Sequence, residues 1–124
     1  MSRGYVTIAI PVTTTGSAAS ATGSATSDAL YGEIVDIYLD FHASAPATTD
    51  TTIAYADRGG NILVVSNSAT DALIAPRQKT VDSANAAITD SYGPFVVNGS
   101  LTVSLAGSDA LTNALVAYVR VKLP

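Results

Sequence analysis

Residues 32–42 (GEIVDIYLDFH) constrain the fold most strongly, because apolar and polar side chains alternate through them. The side predicted to face a core carries Val35, Ile37, Leu39 and Phe41. The opposite side carries two aspartates, a tyrosine and a histidine. Since side chains alternate between the two faces of a strand, this period of two predicts a half-buried β-strand. In a helix the two aspartates would interrupt the apolar stripe, so a helix is not favoured.

Similar patterns along the chain predict an all-β fold of about eight strands in one domain, residues 1–124. Turn signals recur roughly every ten residues, which is typical of an antiparallel β-sandwich or a jelly-roll-like fold. Pro11 lacks an N–H donor and predicts an edge position or a bulge in the first strand. The Asp-Arg-Gly-Gly run at residues 57–60 predicts a hairpin. The other predicted strands are residues 5–14, 51–56, 61–65, 72–75, 95–98, 100–105 and 111–123.

Three segments have weaker signals. Residues 13–29 are nearly all Thr, Ser, Ala and Gly. This composition indicates either a flexible segment or a small-residue hairpin that turns at Gly16. The hairpin is preferred, because free loops of this length are uncommon in a compact domain. Residues 77–87 are predicted to be a loop with at most one helical turn. The Asn-Gly pair at residues 98–99 favours a type I′ hairpin turn over a glycosylation sequon.

Composition limits the partners of the chain. Only 13% of the residues are charged and the formal net charge is −4, which argues against nucleic-acid binding, where Lys and Arg must neutralise phosphates. No apolar run approaches the ~18 residues of a membrane-spanning helix, so no membrane partner is expected. There is no cysteine, which excludes disulfides and thiolate metal sites and favours cytosolic synthesis. Because 21 of the 124 residues are alanine, the predicted core is thin and association with other copies would add burial.

Catalytic and metal motifs are not evident. His42 is the only histidine, and with Asp40 it offers two ligands about 7 Å apart on one strand face. A solvated face is the better interpretation, since further ligands are not identifiable. No serine can be placed beside a base, and no Gly-x-Ser-x-Gly elbow occurs. We therefore expect no enzyme activity, no cofactor and no bound metal.

One pattern extends over most of the chain. It comprises the opening alternating strand, the turn at residues 13–17, the strand at 32–37, residues 50–53 with 62–63, residues 84–87, and the closing Tyr-Val-Arg-Val at 118–121. Its most specific part is the Pro-Arg-Gln stretch at residues 76–78, with Thr80 and Asp82 downstream. This pattern resembles the small all-β virion proteins encoded near the major capsid protein in many tailed phages, which act as head-decoration or cement proteins. Residues 18–29 depart from the family pattern.

The resemblance implies a protein on the outer surface of an icosahedral head, assembled in the host cytoplasm, with the major capsid protein and its own copies, as a homotrimer, as partners. The expected contact residues with the shell or other subunits are Ser2, Arg3, Gly4, Tyr5, Arg77, Gln78 and Lys79.

The alternative to a decoration protein is a tail, fibre or surface module that binds host glycan. Its stacking aromatics would be Tyr31, Tyr38, Tyr55 and Tyr118.

Overall fold

The computed structural model describes residues 4–124, which form eleven strands and no helix. The all-β prediction is confirmed, but the expected eight strands were too few. The strands are β1 (Tyr5–Val12), β2 (Ala21–Thr26), β3 (Leu30–Phe41), β4 (Asp50–Tyr55), β5 (Asn61–Val65), β6 (Ala72–Ile74), β7 (Arg77–Val81), β8 (Ala87–Pro94), β9 (Val96–Gly99), β10 (Leu101–Ser108) and β11 (Leu115–Lys122).

The described strands form three antiparallel sheets. The largest has the order β1-β11-β3-β6. β9 also belongs to it and pairs with the start of β3, on the edge where β6 pairs further along. A four-stranded sheet has the order β2-β10-β4-β5. The third sheet is the isolated pair β7-β8. The predicted edge position of Pro11 is confirmed, because β1 pairs only with β11.

One apolar cluster is built from both larger sheets. The five-stranded sheet contributes residues with no exposed surface, among them Ile37, Leu39 and Val119. The four-stranded sheet contributes Ile53 and Val103, which are equally buried. The alternation in the sequence therefore identified the inward face of β3 and β11 correctly over most of their length.

The inward face of β3 differs from the prediction at Val35. The ladder between β3 and β11 shifts register here: Arg120 pairs with Asp36, whereas Val121 pairs with Ile34. Val35 is thus the extra residue of a β-bulge, and it is only half-buried, while Ile34 is buried. Both residues are apolar, so the alternation alone could not locate the change of phase.

Two of the local turn predictions are confirmed. β4 and β5 form the hairpin expected around residues 57–60. A short strand, β6, ends just before Pro76. Residues 13–29 turn after Gly16, and the turn is closed by an antiparallel bridge in which Thr15 and Thr22 exchange backbone hydrogen bonds of 2.9 and 3.0 Å. Beyond this bridge, strand β2 pairs with β10 in the other sheet.

Two other local predictions are wrong. Residues 77–81 are strand β7 rather than a loop, and Ala87 begins β8; only residues 82–86 are a connecting turn, at the tip of the β7-β8 hairpin. The Asn-Gly pair at residues 98–99 does not connect a hairpin, because β9 pairs with β3 whereas β10 pairs with β2 and β4. The chain crosses from one large sheet to the other at this point, and Gly99 accommodates the crossing with φ of 145°.

Candidate interaction surfaces

The β7-β8 hairpin, residues 77–94, is an exposed arm on the edge of the five-stranded sheet. The chain leaves that edge after β6 and returns to it as β9, so the arm emerges between two strands that pair with β3. Every residue of β7 and most of β8 are exposed. The sequence predicted no strands here, because a ribbon with no buried face lacks the apolar alternation that marks a strand.

Several hydrogen bonds define the base of the arm. Arg77 Nη1 donates to the Pro76 carbonyl at 2.8 Å and to the Val35 carbonyl, in the bulge of β3, at 3.5 Å. Gln78 Nε2 donates to the Pro94 carbonyl across the hairpin at 3.0 Å. The backbone N–H of Ile34 donates to Phe95 O at 2.9 Å. The arm is therefore attached to the body of the protein at a defined place.

The tip of the arm is equally well defined. Asp82 Oδ1 accepts hydrogen bonds from the backbone N–H groups of Ala84 and Ala86, at 2.9 and 3.0 Å. Asn85 takes a positive φ of 63°, which Asn tolerates better than most residues. Between tip and base, Val81, Ile88 and Tyr92 are exposed apolar or aromatic side chains. The arm thus presents hydrophobic surface on an ordered ribbon.

A second surface, which we call the tyrosine face, is the outward side of the five-stranded sheet. Its side chains lie in rows that run across the strands, because cross-strand neighbours point the same way. Four of these rows are Tyr5, Lys122, Glu33 and Val96; Thr7, Arg120 and Asp36; Ala9, Tyr118, Tyr38 and Leu73; and Pro11, Val116 and Asp40.

The tyrosine face has an ion pair at its centre and an aromatic pair beside it. Arg120 donates through Nη2 to Asp36 Oδ2, and the Asp36 side chain is largely covered. The rings of Tyr38 and Tyr118 are 6.3 Å apart and tilted by 36°. Partial desolvation, followed by the negative charges of Asp71 and Asp40, raises the pKa of Tyr38 above its ordinary value. Tyr38 therefore stays neutral to a higher pH than an ordinary tyrosine does.

Two shallow cavities open on this side of the sheet. The larger, of about 400 Å³, is lined by Gly32, Glu33, Val96 and the C-terminal residues 122–124. The smaller, of about 200 Å³, lies at the aromatic pair and is lined by Thr7, Asp36, Tyr38, Leu73, Tyr118 and Arg120. Neither lining holds a serine beside a histidine or a set of converging carboxylates.

The residues predicted to contact a shell or another subunit separate into two places. Ser2 and Arg3 lie outside the described residues, and Gly4 and Tyr5 are exposed at the edge strand β1. Arg77, Gln78 and Lys79 are exposed on β7. Tyr5 is level with Glu33 of β3, two strands or about 10 Å away. The base of the arm contacts Val35 of the same strand, so both places belong to one end of the sheet.

The four tyrosines of the predicted glycan site are only partly brought together. Tyr38 and Tyr118 are neighbours, but Tyr31 lies seven residues from Tyr38 along β3, or about 23 Å. Tyr55 belongs to the four-stranded sheet, where its hydroxyl donates to Val96 O at 2.8 Å and Arg58 covers its ring at 4.3 Å. Of the four, only Tyr38 and Tyr118 are close enough to form one stacking site.

The candidate metal pair does not gain further ligands. His42 Nδ1 accepts a hydrogen bond from the Ser44 N–H at 3.0 Å, in the turn after β3. Among residues 4–124, no group of three or more His, Cys, Asp or Glu side chains is placed to hold a metal ion. Within the same part of the chain, no helix is long and apolar enough to cross a membrane.

Sequence reasoning missed the tyrosine face as a unit. The polar side of β11 was recognised, with Tyr118, Arg120 and Lys122 on it, and so was the polar side of β3. What a single sequence did not indicate is that these two strands are neighbours with Arg120 opposite Asp36.

Comparison with known protein families, with curated proteins and with solved structures found no match. The functional interpretation therefore depends on these two surfaces.

Proposed function

We propose that this chain is a structural virion protein of the decoration type, which binds the outer surface of an icosahedral phage head and stabilises it. The observation that carries the proposal is the exposed arm, residues 77–94. Its first two residues, Arg77 and Gln78, belong to the Pro-Arg-Gln stretch in which the resemblance to decoration proteins is most specific. The side chains of Arg77 and Gln78 are exposed to a neighbour, whereas Pro76 is buried.

The physical support comes from the exposure of the arm. A two-stranded ribbon is marginally stable by itself in water, because it buries little on either face. Here Val81 and Ile88 are about half exposed, at 47% and 45%, and Tyr92 is 59% exposed. Binding to a neighbouring protein would cover these side chains and order the ribbon further. The cations Arg77 and Lys79 at its base would then select an acidic partner surface.

The fold fits the same proposal. We infer that the two larger sheets pack face to face as a β-sandwich of jelly-roll-like type, since one apolar cluster draws members from both. A rigid body of this kind would hold the arm and the tyrosine face in fixed relative positions. A protein that binds only the assembled shell stabilises that shell by mass action. Self-association, with three copies as the resemblance implies, would add contacts around each binding position.

Binding of the purified chain to shells that lack it tests the proposal. We expect Arg77→Ala to leave the fold intact and to weaken shell binding by roughly tenfold, the effect of losing about 1–2 kcal/mol at a contact. Arg58→Ala is the matched control, since it removes the same charge from the β4-β5 hairpin. Equal loss in both variants would indicate a net-charge effect. Unchanged binding of the Arg77 variant would remove the arm from the contact.

Glycan binding is the second candidate, and the Tyr38–Tyr118 pair favours it. The two rings border the 200 Å³ cavity, with Asp36 and Arg120 beside them to bond to hydroxyl groups. A glycan array probed with the isolated protein tests this function. Binding that is lost in Tyr118→Ala would favour it over the shell-binding proposal, and a blank array would remove it.

A further inference from the structure

We infer that the tyrosine face binds the tyrosine face of a second copy of this chain, about a twofold axis. This surface is separate from the arm, and the inference does not depend on the proposed function. The outward side of the sheet carries Tyr5, Leu73 and Val96 exposed by 62%, 66% and 51%. Exposed aromatic and apolar side chains around an arginine are typical of the centre of a protein interface.

The charges of this face are sorted by strand. Its cations, Arg120 and Lys122, both lie on β11. The anions Glu33, Asp36 and Asp40 all lie on the neighbouring strand β3. Because Arg120 is opposite Asp36 and Lys122 is opposite Glu33, a basic column runs next to an acidic column.

This arrangement is complementary to itself. Consider a twofold axis that is parallel to the strands, lies midway between the two facing sheets, and runs above the boundary between β3 and β11. Rotation about it would place β11 of each copy over β3 of the other. The rotation keeps each residue in its row, so Arg120 would face Asp36 of the second copy and Lys122 would face Glu33 of the second copy. Tyr118 would meet Tyr38 of the second copy in the next row. Three of the four rows then unite opposite charges or two aromatic rings, and the fourth places Val116 over Asp40 of the second copy. The strands are aligned as in ordinary packing of two sheets.

A twofold pair explains this pattern better than a ring of three does. A ring requires two different patches on each copy, whereas a twofold contact uses one patch that complements itself. The face is about 15 Å wide and 20 Å long, from the spacing of its strands and residues. That area, roughly 300 Å², is well under half of the ~800 Å² per partner that a stable complex buries. We therefore expect a weak dimer, with a dissociation constant in the high micromolar range, that becomes weaker as salt is raised.

Two charge-reversal variants test the geometry. The first, R120E with K122E, makes both columns acidic; the second, E33K with D36K, makes both basic. Sedimentation velocity is run on each variant, on their equimolar mixture and on the wild type, up to about 1 mM protein, where a weak interface of this size is populated. Circular dichroism reports whether each variant is folded. We expect the wild type to dimerise, each variant alone to be monomeric, and the mixture to form a one-to-one heterodimer.

Several results would overturn the inference. A wild-type chain that stays monomeric would do so, as would any assembly, dimer or trimer, that both double variants form as the wild type does. If either double variant fails to fold, Leu73→Arg replaces it, with Val64→Arg as the control at an exposed position of the other sheet. Loss of the dimer in the Leu73 variant alone supports the face-to-face contact. Equal behaviour of the two single variants contradicts it.

Discussion

Gly32 is the position at which a single added methyl group should disturb the tyrosine face most. Its φ is 139°, a conformation that residues with a side chain rarely adopt. A Cβ built on it would lie 2.2 Å from the Lys122 carbonyl oxygen and 2.9 Å from Val121 Cγ1. Both neighbours belong to β11, so Gly32→Ala would force β3 and β11 apart where the first row of the face begins.

The expected cost has two parts. Holding alanine at this φ costs about 1–3 kcal/mol. Separating the strand ends weakens about two ladder hydrogen bonds, at roughly 1 kcal/mol each. We expect Gly32→Ala to lower the free energy of unfolding by about 3–5 kcal/mol in total. For a chain of 124 residues this corresponds to a fall in melting temperature of roughly 10–20 °C.

Urea unfolding followed by circular dichroism measures this cost, with the midpoint and the slope fitted together. Gly93→Ala is the matched control, because a Cβ there meets no atom within 4 Å and its φ is not in the positive range. We expect the control to change the free energy of unfolding by less than about 0.5 kcal/mol. If Gly32→Ala unfolds at the same urea concentration as the control, the close approach of β3 to β11 is refuted.

Two further predictions concern single side chains. In an alkaline titration of phenolate absorbance, taken as wild type minus Tyr38→Phe, we expect Tyr38 to ionise above the ordinary pKa of about 10 and Asp71→Asn to lower that pKa. A raised pKa means that the folded state holds the Tyr38 proton more tightly than the unfolded state does. The stabilisation from this proton is therefore complete below about pH 10 and is lost as the pH rises further. A Tyr38 pKa at or below 10 contradicts this prediction. The buried Thr14 hydroxyl accepts the Leu111 N–H at 3.1 Å, so Thr14→Val should cost about 1–3 kcal/mol in urea unfolding, and an unchanged midpoint contradicts this role.

The strands that could be predicted are those with one buried face. Val119 and Leu39 lie in sequences that alternate apolar and polar residues, and burial against the core requires that alternation. The edge position of β1 followed from Pro11, whose missing N–H cannot serve a central strand. These are consequences of local chemistry, which a single sequence contains in full.

The arm and the tyrosine face could not be predicted, for two different reasons. Val81, Ala84 and Ile88 have helical spacing, but the ribbon they belong to faces solvent on both sides, so no buried face imposes a period of two. The pairing of Arg120 with Asp36 joins residues that are 84 positions apart. Which strands become neighbours depends on the whole topology, and the crossing at residues 98–99 illustrates this, since its Asn-Gly pair has the chemistry of a hairpin turn.

The most direct test of the proposed function is a count of this chain in intact particles. Particles purified from the source on a density gradient would be analysed by quantitative mass spectrometry, with the major shell protein as the internal standard. A decoration protein is expected in roughly equal copies with the shell protein. A few copies per particle would instead place the chain in a tail or fibre, and its absence from particles would contradict a virion role altogether.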